Sequence, residues 1–196
     1  MYNRAMATIF YFHGFASVGE GPKTESLRAN FPDHVVIAPN IPLNPAKAVE
    51  ILAAAVRTAT SFPIIFIGTS LGGFWANVMA QKFDAPAILI NPSISPHATM
   101  ATRVGAELSN YKTGEKIEIT SEDVRQFKEL EREVGELYNG ALIHLFLAQD
   151  DEILPYEVTL SQLPYTATLN IAEAGGHRYL LGWNNIIDCI RKSLCG

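Results

Sequence analysis

Short, almost wholly apolar runs alternate along this chain with longer stretches that repeat their apolar residues every three or four positions. The runs Thr8–Phe12, His34–Ala38, Ile64–Ile67, Ala87–Ile90, Leu142–Ala148 and Thr166–Ile171 read as strands. Each is nearly all apolar, as expected of strands buried on both faces. The stretches Thr24–Asn30, Pro45–Ala59, Leu71–Phe83, Tyr156–Gln162 and Trp183–Leu194 read as helices. In the last of these Trp183, Ile186, Ile187, Ile190 and Leu194 share one face, with Cys189 at its border as a packing residue. Alternation of this kind predicts an α/β fold: a mostly parallel sheet of about six strands with helices on both sides.

The interval from Asn91 to Gly140 breaks the alternation and is too long for a plain connection. A polar segment, Ser109 to Ile119, leads to Thr120-Ser121-Glu122-Asp123, a capping box that opens a helix. Phe127, Leu130, Val134 and Leu137 then form a single apolar stripe on an otherwise charged helix. One stripe means one buried face. Residues 92–140 therefore read either as a short cap over the rim of the sheet or as an ordinary packed helix with its connections.

The 196 residues suit one domain, 1–196, with one sizeable core. Hydrophobic residues at 48% and charged ones at 18% indicate an ordered globular chain. A net charge of −5, with no basic run, argues against a nucleic-acid partner. No apolar stretch approaches the roughly 20 residues that span a bilayer, so no membrane partner is expected. The apolar run after Met1–Ala7 is too short for a signal peptide. Cys189 and Cys195 lack a metal-binding or disulfide pattern, which suggests a reducing, cytoplasmic setting. Oligomeric state is not legible in the pattern.

Candidate chemistry centres on Gly68-Thr69-Ser70-Leu71-Gly72-Gly73, which joins a buried strand to a helix. Gly-x-Ser-x-Gly in that setting is the nucleophile elbow of α/β-hydrolases: a sharp turn that exposes the serine and leaves no room for side chains two positions away. A serine hydroxyl needs a base in reach, and the base needs an orienting acid. In this fold they follow in the order serine, acid, histidine, each after a strand. His177, after Glu173-Ala174-Gly175-Gly176, is the expected base. The acid falls in Asp150-Asp151-Glu152, with Asp151 preferred because Leu154 and Pro155 complete an Asp-x-x-Leu-Pro pattern, and Asp150 in reserve. An acidic turn capping the next helix explains the same carboxylates without catalysis. The backbone N–H groups of Leu71 and Phe15 are the expected oxyanion donors, the second from the His13-Gly14-Phe15 loop, with His13 bracing that loop. Phe15, Phe74, Trp75 and the helix after Thr120 are candidate walls of an acyl pocket, although all three aromatics fit a core equally well. Arg178 could meet a substrate anion, but a surface role is the preferred reading. Gly21-Pro22-Lys23-Thr24 is not a phosphate loop, because proline stands where a glycine must precede the lysine.

Taken together, Tyr11-Phe12-His13-Gly14-Phe15, the serine turn, Asn91-Pro92, Tyr111-Lys112-Thr113-Gly114, Asp151-Glu152-Ile153-Leu154 and Gly175-Gly176-His177 make the chain resemble the α/β-hydrolase superfamily. More narrowly, it resembles small bacterial esterases of the YqiA type, over most of its length. The resemblance implies a Ser70-Asp151-His177 triad that cleaves carboxylic esters or thioesters without a cofactor; no metal is expected, and a cap segment under fifty residues with no long insertions favours small or medium acyl groups on a fairly open site. Two other readings remain: a thioesterase or acyltransferase on the same site, and a silent hydrolase-fold protein that only binds a ligand.

Overall fold

The computed structural model describes residues 6–163 and 165–194; Cys195 lies outside them. The elements run in the order β1 (Thr8–Phe12), α1 (Pro22–Asn30), β2 (Val35–Ile37), α2 (Pro45–Arg57), β3 (Ile64–Thr69), α3 (Leu71–Phe83), β4 (Ala87–Ile90), α4 (Pro96–Ala101), β5 (Leu108–Ser109), β6 (Lys116–Ile117), α5 (Ser121–Leu137), β7 (Ile143–Ala148), α6 (Tyr156–Gln162), β8 (Thr168–Ala172) and α7 (Trp183–Ser193). Six strands form one sheet in the order β2-β1-β3-β4-β7-β8, and every pairing in it is parallel. The short β5–β6 hairpin stands apart from it and is antiparallel.

Side chains alternate across the four central strands with the period of two that a pleated strand imposes. Phe10, Phe12, Phe66, Leu89, Leu145 and Leu147 point to the face covered by α2, α3, α5 and α6. Ile9, Tyr11, Ile65, Ile67, Ile88, Ile90 and Phe146 point to the opposite face, covered by α1 and α7. The predicted two-sided burial thus holds for the centre of the sheet but not for its edges. Val35 at the start of β2 and Leu169 and Ile171 of β8, on the two edge strands of the sheet, are exposed. β8 also begins at Thr168 rather than Thr166.

The expected capping box of α5 forms: the Thr120 hydroxyl accepts from Asp123 N at 3.1 Å, and the Asp123 carboxylate accepts from Thr120 N at 3.0 Å. The rest of the helix decides between a cap and a packed helix. Phe127 is fully buried, with its ring 5.9 Å from Phe74 and 5.7 Å from Trp75. Asn44, the N-cap of α2, donates to Asp123 at 2.9 Å. α5 is therefore part of the core. The segment between α4 and β6, whose short elements show no clear periodicity in the sequence, supplies the wall above the sheet.

At the carboxyl end of β1, His13 ties two loops together. Its Nδ1–H donates to Gly14 O at 2.8 Å, and Nε2 accepts from Ile41 N at 2.9 Å. That pairing requires the neutral ring, and burial lowers its pKa below the ordinary histidine value. Protonation then favours the unfolded chain, so the stability this ring contributes is complete above the ordinary value near 6.5 and is lost as pH falls below it. Burial acts on His144 in the same direction.

Two measurements test this packing. Phe127→Ala should lower the unfolding free energy in urea by about 3–5 kcal/mol, the cost of a large core cavity, whereas a mobile lid residue would cost far less. Between about pH 7 and about pH 5 the thermal midpoint should fall, and His13→Gln, which does not titrate, should flatten part of that slope and leave the share that belongs to His144.

Candidate active site

β3 ends in Gly68-Thr69 and α3 begins at Leu71, so the chain must reverse within one residue. Ser70 makes that turn at φ 58 and ψ −126, a region costly for a residue with a side chain. The glycines explain how it fits. A Cβ at Gly68 would lie 1.9 Å from Gly72 O, and one at Gly72 would lie 2.0 Å from Phe12 O. The turn is pinned by Ser70 N donating to Ile90 O at 3.0 Å and by Ser70 O accepting from Gly73 N at 2.8 Å and Ser93 N at 3.0 Å. The result sets the Ser70 hydroxyl at the carboxyl edge of the sheet, where open α/β sheets hold their ligands.

The His13-Gly14-Phe15 loop passes directly beside it. A Cβ at Gly14 would sit 3.4 Å from Ser70 Cβ and 3.9 Å from its Oγ. Among the described residues, neither the Phe15 nor the Leu71 N–H donates to a protein acceptor. Leu71 also opens α3, whose N-terminal dipole favours negative charge.

The loop after β8 carries His177 back to the same edge. Its Nδ1 lies 2.9 Å and 3.0 Å from the two carboxylate oxygens of Asp151, whose side chain is almost completely buried. Asp151 Oδ1 also accepts from Ile153 N and Leu154 N, both at 2.9 Å, which fixes the carboxylate plane. The neighbouring acids hold the backbone of the histidine loop. Asp150 accepts from Gly176 N at 2.8 Å and Gly175 N at 3.2 Å, and Glu152 accepts from His177 N at 3.0 Å. These N–H donors lower the pKa of Asp150. Of the two candidate acids, Asp151 meets the ring and Asp150 meets only the backbone.

Sequence reasoning named Asn91 as part of a motif but gave it no task. Its Nδ2 donates to Gly176 O at 3.0 Å and His177 O at 3.1 Å, while Oδ1 accepts from Ala148 N at 2.9 Å. It ties the end of β4 to β7 and to the histidine loop, and it does so from a left-handed backbone, φ 40. Its place at the carboxyl end of a buried strand was the signal for such a role.

Ser70, Leu71, Phe15 and His177 line one open cavity of about 490 Å³, with Met100, Tyr111, Ile153 and Leu180 among its apolar walls. Among the described residues, Ser70 Oγ takes part in no hydrogen bond, and such contacts often close only with substrate present. Phe74 and Trp75 correct the sequence-based expectation. They are 3% and 1% exposed and pack against each other and Phe127, on the core side of α3, so they do not line this cavity. Because α3 is buried almost all round, its periodicity gave no hint of which apolar residues face the site.

The same arrangement of sheet and helices occurs in solved structures. Monoacylglycerol lipase from Paleococcus ferrophilus superposes with a TM-score of 0.69 at 15% identity, covering 95% of this chain and 94% of that one. Alpha/beta hydrolase domain-containing protein 10 from mouse gives 0.67 at 14%, covering 94% and 88%. At these identities the likeness establishes the α/β-hydrolase fold. In sequence, a UPF0227 protein of Shewanella sp. (strain ANA-3) is 25% identical over 177 residues, 87% of this chain and 90% of the relative. The family model described as "Uncharacterised protein family (UPF0227)" matches residues 8–188, and the chain belongs to that family.

Proposed function

We propose that this protein is a serine hydrolase that cleaves carboxylic esters of small or medium acyl groups. The observation that carries the reading is the Asp151 carboxylate seated on His177 Nδ1 at 2.9 Å, with the same imidazole and Ser70 lining one cavity. In that reading Ser70 Oγ attacks the ester carbonyl while His177 Nε2 takes its proton. Asp151 keeps the proton on Nδ1 and stabilises the imidazolium. Negative charge on the carbonyl oxygen is met by the N–H groups of Phe15 and Leu71, which have no protein acceptor among the described residues. His177 gives its proton to the departing alkoxide, leaving an acyl group on Ser70. Water, activated by the same ring, adds to that acyl carbon; the Ser70–acyl bond then breaks, the acid departs, and the proton returns to Ser70 Oγ.

A cavity of about 490 Å³ suits a small or medium ester. Its open mouth leaves room for an alcohol portion of varied size. No helix of the described residues is long and apolar enough to cross a membrane. We assign the protein to the cytoplasm on its cysteine usage.

A fluorophosphonate probe should label the protein once, and Ser70→Ala should abolish the label and lower kcat on a nitrophenyl ester by roughly 10⁵- to 10⁶-fold. Labelling that survives the substitution refutes the reading. The acids are separated by a paired measurement. Asp151→Asn should lower kcat by about 10⁴-fold, since it presents the wrong tautomer to Ser70. Asp150→Asn should cost no more than about 10²-fold, through the position of the loop alone. Reversed magnitudes would move the acid role to Asp150.

A further inference from the structure

The cavity that holds Ser70 is cationic in a chain with more acids than bases. The sequence has 20 acidic residues against 15 lysines and arginines. Lining the cavity, however, are Lys23, Arg103, Lys112 and Arg178, with Glu20 as their one acidic companion among the described residues. Glu20 is already taken. Its two oxygens accept from Arg28 at 2.6 Å and 2.7 Å, outside the cavity.

Lys23 is the most constrained of the four. It sits in the first turn of α1, and its Nζ reaches across to donate to Thr69 Oγ1 at 2.9 Å, on the residue just before Ser70. The ammonium also lies 5.4 Å from the centre of the Trp183 ring, on α7. No carboxylate pairs with it among the described residues. Burial lowers its pKa to about 8, and the charge of Arg178 pushes in the same direction. Arg178 follows His177 directly and lines the same space. Two cations thus face one cavity without a counter-charge, beside the two residues proposed for the chemistry. Buried charges in proteins are paired or hydrogen-bonded, and an ammonium satisfied by one hydroxyl and one ring face lacks an anion.

We infer that the substrate carries a second group, a carboxylate or a phosphate, within a few bonds of the scissile carbonyl, and that Lys23 and Arg178 bind it. This rests on the ester-hydrolase reading above and narrows it to anionic esters. Lys23 then selects substrate by charge, with Thr69 aiming its ammonium and Arg178 closing the anion from the solvent side.

The test compares matched esters that differ only in charge. On the acyl side these are 4-nitrophenyl hemisuccinate and its methyl ester; on the alcohol side, the butyrate of 4-hydroxybenzoate and the butyrate of its methyl ester. The wild type should favour the anionic member of at least one pair by about tenfold or more in kcat/KM, the scale of one charge-assisted hydrogen bond. The pair that responds tells which side carries the anion. Lys23→Met should bring that ratio close to one, and Lys23→Arg should keep most of it. Arg178→Gln, at an exposed position that does not threaten the fold, should lower it part of the way. High salt should do the same. A ratio near one in the wild type on both pairs overturns the inference, as does a Lys23→Met variant that slows both members equally. The two readings fail separately. Cleavage that persists in Ser70→Ala refutes the triad while the charge ratio still reads the anion site. Cleavage lost in Ser70→Ala with a flat ratio refutes the anion site alone. Should no ester turn over, calorimetric binding of monomethyl succinate against dimethyl succinate reads the same preference, and equal or absent affinity overturns it.

Discussion

Three backbone segments meet at one point in this molecule, and the site exists because they do. The end of β1, the end of β3 and the first turn of α3 approach so closely that a single added carbon at Gly68 or Gly72 would lie about 2 Å from a carbonyl oxygen. Such contact is possible only between backbones. It forces Ser70 into a strained conformation, and the strain is held by one backbone hydrogen bond within α3 and two that reach β4 and the loop after it. The same contact brings the His13-Gly14-Phe15 loop against the serine. The hydroxyl and the two N–H groups expected to serve it are thus consequences of one packing event.

The histidine has no comparable scaffold, because β8 is a half-exposed edge strand and the loop after it is long. Its position is set by polar groups instead. Asp150, Asp151 and Glu152 are consecutive, and each takes a different donor of the loop: the glycine N–H groups, the ring, and the His177 N–H. Asn91 holds the two carbonyls from the other side. Hydrogen bonds to charged acceptors are shorter and stronger than neutral ones, so a loop without a core beneath it can still be held in place. The run of acids that made the sequence ambiguous is the device that fixes the loop.

Much of the frame was legible because it follows local rules. β1, β4, α3 and α6 have the predicted bounds, since apolar runs, glycine punctuation and proline starts all agree there. The sequence failed where position depends on distant partners. α4 and the β5–β6 hairpin are too short for periodicity to speak. Phe74 and Trp75 stand four and five residues from Ser70 yet point into the core, because a helix buried all round has no polar face to orient it. Lys23 stands in the sequence only beside a proline that rules out a phosphate loop; its reach to Thr69, 46 positions away, is a property of the tertiary fold. The Asp-x-x-Leu-Pro pattern did single out Asp151, the acid that meets the His177 ring, but it gave no sign that Asp150 and Glu152 hold the backbone of the same loop.

The division between core and cavity wall also constrains how far the lining of the cavity can change. With α5 locked into the core by Phe127, the wall opposite Ser70 falls to the segment from α4 to β6. That segment is not independent of the chemistry. Tyr111 N donates to Ala16 O at 3.1 Å, Asn110 Nδ2 donates to Ser17 O at 2.9 Å, and the Arg103 guanidinium lies 5.2 Å from the centre of the Phe15 ring. The wall is thereby latched to the His13-Gly14-Phe15 loop, which passes beside the serine. A change in the wall that alters which substrate fits must also bear on the donors that would stabilise its transition state. Loops on a rigid scaffold usually vary freely; here the latch couples the wall to the backbone of Phe15, so a change in one must bear on the position of the other.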